Sequence, residues 1–181
     1  MHTEAYEWVR RYATTKPVTV LDLGGRVING SPRYLWPNAT VYRTVDIAPG
    51  PGVDVVADAA DWQPDQQYDV VVCCETFEHA ERWRDICRTA FAACRPGGRL
   101  ILTMAGPGRP EHSGIDGEWR LHPGEYYGNV DPAELWRVLS AAGFIRVFVD
   151  QQPFPADVRA AAVRPNVPAE RLPASLTRAG S

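Results

Sequence analysis

The sequence of 181 residues predicts a single α/β domain built on a doubly wound, mostly parallel sheet with an antiparallel last strand. Short apolar segments alternate with segments of helical periodicity, a pattern typical of parallel strands joined by helical crossovers. The first segment, residues 18–23, is a β-branched run closed by glycines, as expected of a strand buried on both faces. The last two apolar segments are separated only by residues 151–156, which are too few for a parallel return.

Seven strands are expected, five in the first two thirds of the chain and a closing pair near its end. The fourth, YDVVVCCE, is the most strongly apolar segment of the chain. The expected strands are 18–23, 40–46, 53–58, 68–75, 99–104, 144–150 and 157–163.

Three segments with helical periodicity carry recognisable stop or start residues. Pro17 follows the first helix, and the Arg-Pro-Gly-Gly sequence at 95–98 ends the second. The third begins with Asp131 as N-cap and ends at Gly143. The expected helices are 3–15, 81–94 and 131–142.

Composition and charge narrow the class of protein. Nineteen Lys and Arg against 22 Asp and Glu give a net charge of −3, which disfavours non-specific nucleic-acid binding because that depends on neutralising phosphates. No apolar run reaches the roughly 18 residues of a membrane span, and the charged start lacks the apolar stretch of a signal peptide. We expect a cytoplasmic protein with one domain over residues 1–163 and an irregular, proline-rich tail over 164–181.

The glycine-containing turn after the first strand reads DLGGRVINGS from Asp22. It is not a dinucleotide fingerprint, because Arg26 and Asn29 stand where that motif requires glycine, and it lacks the Gly-Lys-Ser/Thr of a phosphate loop. Glycines allow close approach of the backbone to a ligand, and the N-terminus of a following helix would offer free N–H groups. An acid in such a turn favours a ligand with a cationic end.

Three consecutive strands each end in an aspartate. Asp46 lies 24 positions after Asp22, near the spacing at which nucleotide-binding sheets place an acid on ribose hydroxyls. Asp58, followed by Ala59, ends the third strand, where an adenine amino group could be met. The carboxyl edge of a parallel sheet is the usual place for ligands, so three acids at this edge predict a binding site.

The segments VLDLGG, VDIAPGPGVDVVADA, YDVVVCCETFEHA and CRPGGRLILTM together resemble the class I S-adenosylmethionine-dependent methyltransferases, nearest the small "type 11" branch. The resemblance covers residues 18–104, and residues 131–163 fit the closing helix and strand pair. It implies a Rossmann-like fold, S-adenosyl-L-methionine as cofactor and S-adenosyl-L-homocysteine as product. The family commonly has acid-x-Gly-x-Gly-x-Gly in the first loop, whereas here Arg26 replaces the second glycine and the third is displaced to Gly30.

The resemblance also implies roles for individual residues. Asp22 would line the methionine end of the cofactor, Asp46 would hold the ribose hydroxyls and Ile47 would pack on the adenine. Asp58 would meet the adenine edge, and Glu75 would lie under the sulfonium and the substrate. The residues expected to bind the cofactor are Asp22, Gly24, Gly25, Asn29, Asp46, Ile47, Asp58, Ala59, Glu75 and His79.

The Glu75-Thr-Phe-Glu78-His79 sequence could suggest a metal pair. No further ligand set is legible in the sequence and the spacing matches no standard helix motif, so no metal is expected. His79 is instead expected to line the cofactor or substrate pocket.

Residues 105–130 lack apolar periodicity and follow a central strand, where a substrate would meet the cofactor. A loop of this length in a compact domain is usually functional or disordered, and its aromatic residues argue against disorder. Histidine, with a pKa near neutrality, is a natural base for a hydroxyl or amine acceptor. The expected catalytic residues are His112, His122, Glu125 and Tyr126, with Tyr127 as a further candidate for substrate contact.

The acceptor class follows by exclusion. The CCETF sequence after the fourth strand lacks the Asp/Asn-Pro-Pro-Tyr/Phe of the resembling DNA amino-methylating enzymes, and no Pro-Cys pair for pyrimidine carbon-5 transfer is present. Without a recognition domain or a basic stripe, the expected acceptor is a small molecule with an O- or N-nucleophile.

Two alternatives stay open. One is a nucleotide- or NAD-binding oxidoreductase, which the acidic turn and the antiparallel closing strands disfavour. The other is a non-catalytic cofactor-binding module, since the altered glycine loop could reflect lost binding. The oligomeric state is also open, a homodimer included.

Overall fold

The computed structural model describes residues 1–166 and places seven strands in one sheet, in the order β3-β2-β1-β4-β5-β7-β6. The predicted tail residues 167–181 lie outside the described residues. The strands are β1 (Val18–Leu23), β2 (Ala39–Asp46), β3 (Val55–Val56), β4 (Tyr68–Cys74), β5 (Cys94–Ala105), β6 (Ile145–Gln151) and β7 (Asp157–Val163).

The strand directions confirm the predicted sheet. β1 pairs in parallel with β2 and β4, β2 with β3, and β4 with β5, whereas β7 is antiparallel to both β5 and β6. The strand order reverses between β1 and β4. In open α/β sheets this switch point, at the carboxyl ends of the strands, is where ligands bind.

Three helices cover the two faces of the sheet: α1 (Thr3–Arg10), α2 (Trp83–Ala93) and α3 (Pro132–Ala141). Successive side chains of the central strands point to opposite faces of the sheet, so each strand contributes to the packing on both faces. Val71 and Leu100 pack under α2 and α3, and the adjacent Val70 and Ile101 pack under α1. The N-cap of α3 is as predicted, with Asp131 Oδ1 accepting a hydrogen bond from the Glu134 amide at 2.8 Å.

Four local predictions were wrong. β5 begins at Cys94 rather than 99, so residues 95–98 belong to the strand. α1 ends at Arg10 rather than 15, and the Lys16 amide bonds instead to the Thr14 hydroxyl at 3.1 Å, a local contact that competes with helix. β3 has two residues instead of six. No α-helix follows the glycine turn: between β1 and β2 the chain forms only a one-turn 3-10 helix at Pro32–Leu35, capped by the Ser31 side chain.

The first residue of the predicted tail, Arg164, packs against the end of α2. Arg164 is buried, and its guanidinium donates to the carbonyl oxygens of Phe91, Ala92 and Cys94 at 3.0, 3.2 and 2.6 Å. These bonds satisfy carbonyls that the end of α2 leaves without helical partners. In the described part of the chain, no helix is long and apolar enough to cross a membrane.

Candidate active site

A cavity of about 800 Å³ opens at the carboxyl ends of β1, β2 and β4. Its floor is formed where the loop after β1 lies directly on the loop after β4. A Cβ atom on Gly24, which has φ +75°, would come within 2.2 Å of the Thr76 hydroxyl. The first glycine of the turn is therefore required by the packing of the two loops that form the switch point.

All of the residues predicted to bind a cofactor line this one cavity. Of the predicted catalytic residues, His112, Glu125 and Tyr126 also line it, and His122 does not. The lining cofactor-site residues are Asp22, Gly24, Gly25, Asn29, Asp46, Ile47, Asp58, Ala59, Glu75 and His79.

Asp22 is a buried carboxylate at the base of the cavity. Its Oδ2 accepts a hydrogen bond from the Tyr42 hydroxyl at 2.8 Å. Burial raises the pKa of Asp22 to about 7, although the Tyr42 hydrogen bond opposes the change. A cationic ligand group nearby would favour the ionised form of this acid.

Asp46 shapes the turn that follows β2 and also holds the first loop. Its Oδ2 accepts from the Arg26 amide and its Oδ1 from the Ala48 amide, both at 3.0 Å. The Arg26 guanidinium reaches the Gly114 carbonyl at 2.9 Å. The arginine that replaces the family's second glycine thus connects the cofactor loop to the segment 105–130.

Apolar side chains form much of the exposed wall. Among the described residues, eleven large hydrophobic side chains are exposed, and six of them line this cavity. Exposed apolar groups gathered in one concave site are typical of a ligand-binding surface. The six are Ile28, Ile47, Ile115, Trp119, Tyr126 and Phe154.

Within residues 105–130, Glu125 is a structural anchor. Its carboxylate accepts hydrogen bonds from the Ser113 hydroxyl at 3.0 Å, the Gly114 amide at 2.9 Å and the His122 amide at 2.5 Å. Slight burial would raise the pKa of Glu125, but these hydrogen bonds lower it, so it is a poor proton acceptor. The His122 ring pairs with Asp116 at 2.7 Å, away from the cavity lining.

His79 and His112 lie against each other on the cavity wall, with ring centroids 4.9 Å apart, and both rings pack on Tyr127. Burial and the neighbouring His112 lower the pKa of His79 to about 4. Burial also lowers the pKa of His112. Both imidazoles are therefore neutral near pH 7, with a lone pair available.

A charged cluster that the sequence did not reveal stands beside Glu75. His2 Nε2 lies 3.2 Å from Glu75 Oε2 and 3.1 Å from Asp157 Oδ2, and Arg109 pairs with Asp157 and lies 3.8 Å from Glu75. Burial on its own would raise the pKa of Glu75, but the His2 hydrogen bond and the charges of His2 and Arg109 keep it lowered. The Oε1 of Glu75 is buried and has no partner among residues 1–166. Because the members come from positions 2, 75, 109 and 157, no local sequence pattern could have indicated this cluster.

The His2 contacts predict a pH-dependent stability. Burial alone would lower the pKa of His2, but hydrogen bonds to Asp157 and Glu75 raise it to about 10, from 6.5. His2 therefore stabilises the fold in full below about pH 6.5, and this contribution disappears as the pH rises through about 10. We expect the difference in melting temperature between the wild type and His2→Gln to be largest near pH 6 and to vanish above about pH 10. A difference that stays constant over this range would contradict the assignment.

Comparisons with known proteins agree with this architecture. A family model described as a methyltransferase domain matches residues 1–147. No curated protein matches the sequence.

Solved structures share the fold at low identity. A Burkholderia thailandensis 1,6-didemethyltoxoflavin-N1-methyltransferase, with its substrate and S-adenosylhomocysteine bound, superposes with a TM-score of 0.65 at 18% identity, covering 90% of this chain and 77% of that chain. An S-adenosylmethionine-dependent methyltransferase from Mesorhizobium loti gives 0.64 at 16%, covering 88% and 98%. The magnesium protoporphyrin IX methyltransferase of Synechocystis PCC 6803 with S-adenosylmethionine gives 0.58 at 19%, covering 89% and 76%.

Proposed function

We propose that this chain, which belongs to the class I S-adenosylmethionine-dependent methyltransferases, moves a methyl group to an oxygen or nitrogen of a small molecule. The observation that carries the proposal is one cavity in which three strand-end aspartates and His112 are brought together. A cytoplasmic location, as the sequence predicts, is part of the proposal.

The residues present fit S-adenosylmethionine. Asp46 uses each carboxylate oxygen for one backbone amide, which leaves acceptor capacity for hydroxyl groups. Ile47 is 71% exposed on the cavity wall, as expected of a side chain that packs on a bound ring. Asp22 and Glu75 would lie near the cationic methionine end. S-adenosylmethionine supplies a methyl group on a positively charged sulfur, open to direct attack by a nucleophile.

His112 is the strongest of the four predicted catalytic residues for accepting a proton from the acceptor. It lines the cavity, and its lowered pKa keeps the imidazole neutral near pH 7. Glu125 is committed to three hydrogen bonds, and His122 is turned towards Asp116. Tyr126 lines the cavity and would contact the acceptor rather than remove a proton.

Three features support a small acceptor. The cavity falls within the size range of small-molecule pockets, about 300–1,000 Å³. Residues of the segment 105–130, held by Arg26 and Glu125, form one wall and would exclude water from the reacting groups. The Burkholderia and Synechocystis enzymes that share the fold act on small ring compounds, as their names state.

Calorimetric titration with S-adenosylhomocysteine and with NAD tests the proposal. We expect binding of the first and none of the second. Absence of S-adenosylhomocysteine binding would overturn the methyltransferase assignment, and NAD binding in its place would favour an oxidoreductase. A screen of small hydroxyl and amine acceptors with labelled methyl donor then tests turnover. Binding without transfer to any acceptor would favour a non-catalytic module.

A further inference from the structure

Two histidines that line the cavity and a buried glutamate beside them bring their ligand atoms close together. Glu78 and His79 belong to the short 3-10 turn Phe77–His79 after β4, and His112 comes from the segment 105–130. One nitrogen or oxygen from each of the three lies within 4.8 Å of the others. Metal–ligand bonds of about 2.0–2.2 Å separate neighbouring ligands by roughly 3–4 Å, so only a small contraction is needed to surround an ion.

Glu78 is the unusual member, because it is a fully buried acid. Its Oε1 accepts a hydrogen bond from the Ala105 amide at 3.1 Å, but Oε2 has no partner among the described residues. A buried carboxyl oxygen without a partner is costly, and a bound cation would satisfy it.

The two histidines offer lone pairs to the same space. His79 Nδ1 is buried and has no hydrogen-bond partner in residues 1–166. His112 Nδ1 lies 3.3 Å from the Pro110 carbonyl oxygen, to which it would donate, leaving Nε2 free to bind an ion. A backbone carbonyl that orients a histidine in this way is typical of metal-ligating imidazoles.

A second cluster with metal-ligand residues, His2, Glu75 and Asp157, has a different character. Its carboxylates already face the cationic Arg109 and a histidine whose contacts favour the protonated form. A metal ion there would meet positive charge rather than free lone pairs. Arg109 is also near the Glu78 cluster, but among residues 1–166 no cation forms an ion pair with Glu78.

We propose that Glu78, His79 and His112 bind a divalent transition-metal ion of the Mn²⁺ to Zn²⁺ series on the wall of the cavity. Two imidazoles and one carboxylate favour these ions over Mg²⁺ or Ca²⁺, which prefer oxygen ligands throughout. His79 and His112 line the cavity, so the remaining coordination positions face it. Resting on the proposed function, this arrangement would select acceptors with an oxygen donor, such as a hydroxyl or carboxylate, next to the methylated atom. With the ion bound, His112 would act as a metal ligand and would no longer accept the acceptor's proton.

Titration of the chelator-treated, untagged full chain with Co²⁺ tests the site, followed by calorimetry and visible absorption. We expect one equivalent of Co²⁺ to bind and Mg²⁺ not to compete. His112→Ala should weaken Co²⁺ binding at least about tenfold. Removing a residue that only holds a metal ligand in place weakens metal binding by roughly 10- to 100-fold, and removing the ligand itself should weaken it further. Glu78→Gln should do the same, and an unfolding curve checks that this buried variant folds.

Two matched variants serve as controls. His122→Ala removes a histidine of the same segment outside the cavity, and His2→Ala disrupts the second cluster. Both should keep the Co²⁺ affinity of the wild type. No binding of Co²⁺ by the wild type, equal binding by His112→Ala, or loss of binding in His2→Ala would each overturn the proposal. S-adenosylhomocysteine binding, measured on the same samples, reports separately on the proposed function, which stands if only the Co²⁺ titration fails.

Discussion

Replacing Asp46 with alanine is expected to weaken S-adenosylhomocysteine binding by roughly 10- to 150-fold. Hydrogen bonds to a charged group contribute about 1.5–3 kcal/mol, which corresponds to that range. The variant removes the acceptor for ribose hydroxyls and also releases the Arg26 and Ala48 amides, which the carboxylate holds at 3.0 Å. Both effects act in the same direction, because the loop that would bind the cofactor loses its anchor.

A matched pair of variants separates the two contributions. Asp46→Asn keeps one carbonyl oxygen for the loop while losing the negative charge, and should bind with intermediate affinity. Asp65→Ala removes an exposed aspartate that pairs with Arg43; neither residue lines the cavity, so this variant should bind as the wild type does. Calorimetry gives the affinities, and equal binding by Asp46→Ala and Asp65→Ala would refute the assigned role of Asp46.

Replacing Arg109 with methionine is expected to lower the free energy of unfolding by about 3–5 kcal/mol, the usual cost of removing one partner of a buried ion pair. Asp157 is completely buried, and Arg109 is 9% exposed between it and Glu75. Without the guanidinium, the two acids keep His2 as their only ion-pair partner among residues 1–166. At about 2–4 °C per kcal/mol for a chain of this size, the melting temperature should fall by roughly 6–20 °C.

A double-mutant cycle makes this prediction specific. Combining Arg109→Met with Asp157→Asn removes the uncompensated charge, so the double variant should be more stable than the sum of the single changes predicts. Arg82→Met is the control, because that arginine forms exposed ion pairs, which contribute about 0–1 kcal/mol. Strict additivity of the two single changes would contradict a buried ion pair at this position.

The parts of the fold that sequence predicted well depend on local patterns. Apolar runs marked five of the seven strands to within one residue at either end, and the five residues between β6 and β7 required an antiparallel pair. β5 begins five residues earlier than predicted. The third strand was overestimated, because Asp54 and Asp58 turn the chain on either side of Val55–Val56. Asp54 Oδ2 accepts from the Thr44 amide at 2.8 Å, and Asp58 Oδ1 accepts from the Ala60 amide at the same distance.

In the candidate site, too, some positions could be predicted from local patterns and others could not. Acids at strand ends converge whenever parallel strands share an edge, so the three strand-end aspartates could be placed at one edge before the structure was known. No comparable rule predicts which side chains of a loop face the cavity. His112 faces the cavity and His122 faces Asp116, although the two lie ten positions apart in one segment.

By itself, the sequence determined where most of the strands lie along the chain, the antiparallel direction of the last strand and the sheet edge at which a ligand is expected, because apolar spacing and connection length are local properties. Tertiary structure alone decided which side chains surround that ligand. His2 reaches Asp157 and Arg26 reaches Gly114, contacts between residues that are far apart in the sequence. Such contacts depend on how the loops fold back over the sheet. A charge buried there is costly unless it is paired or hydrogen-bonded. Only the packed molecule specifies those partners.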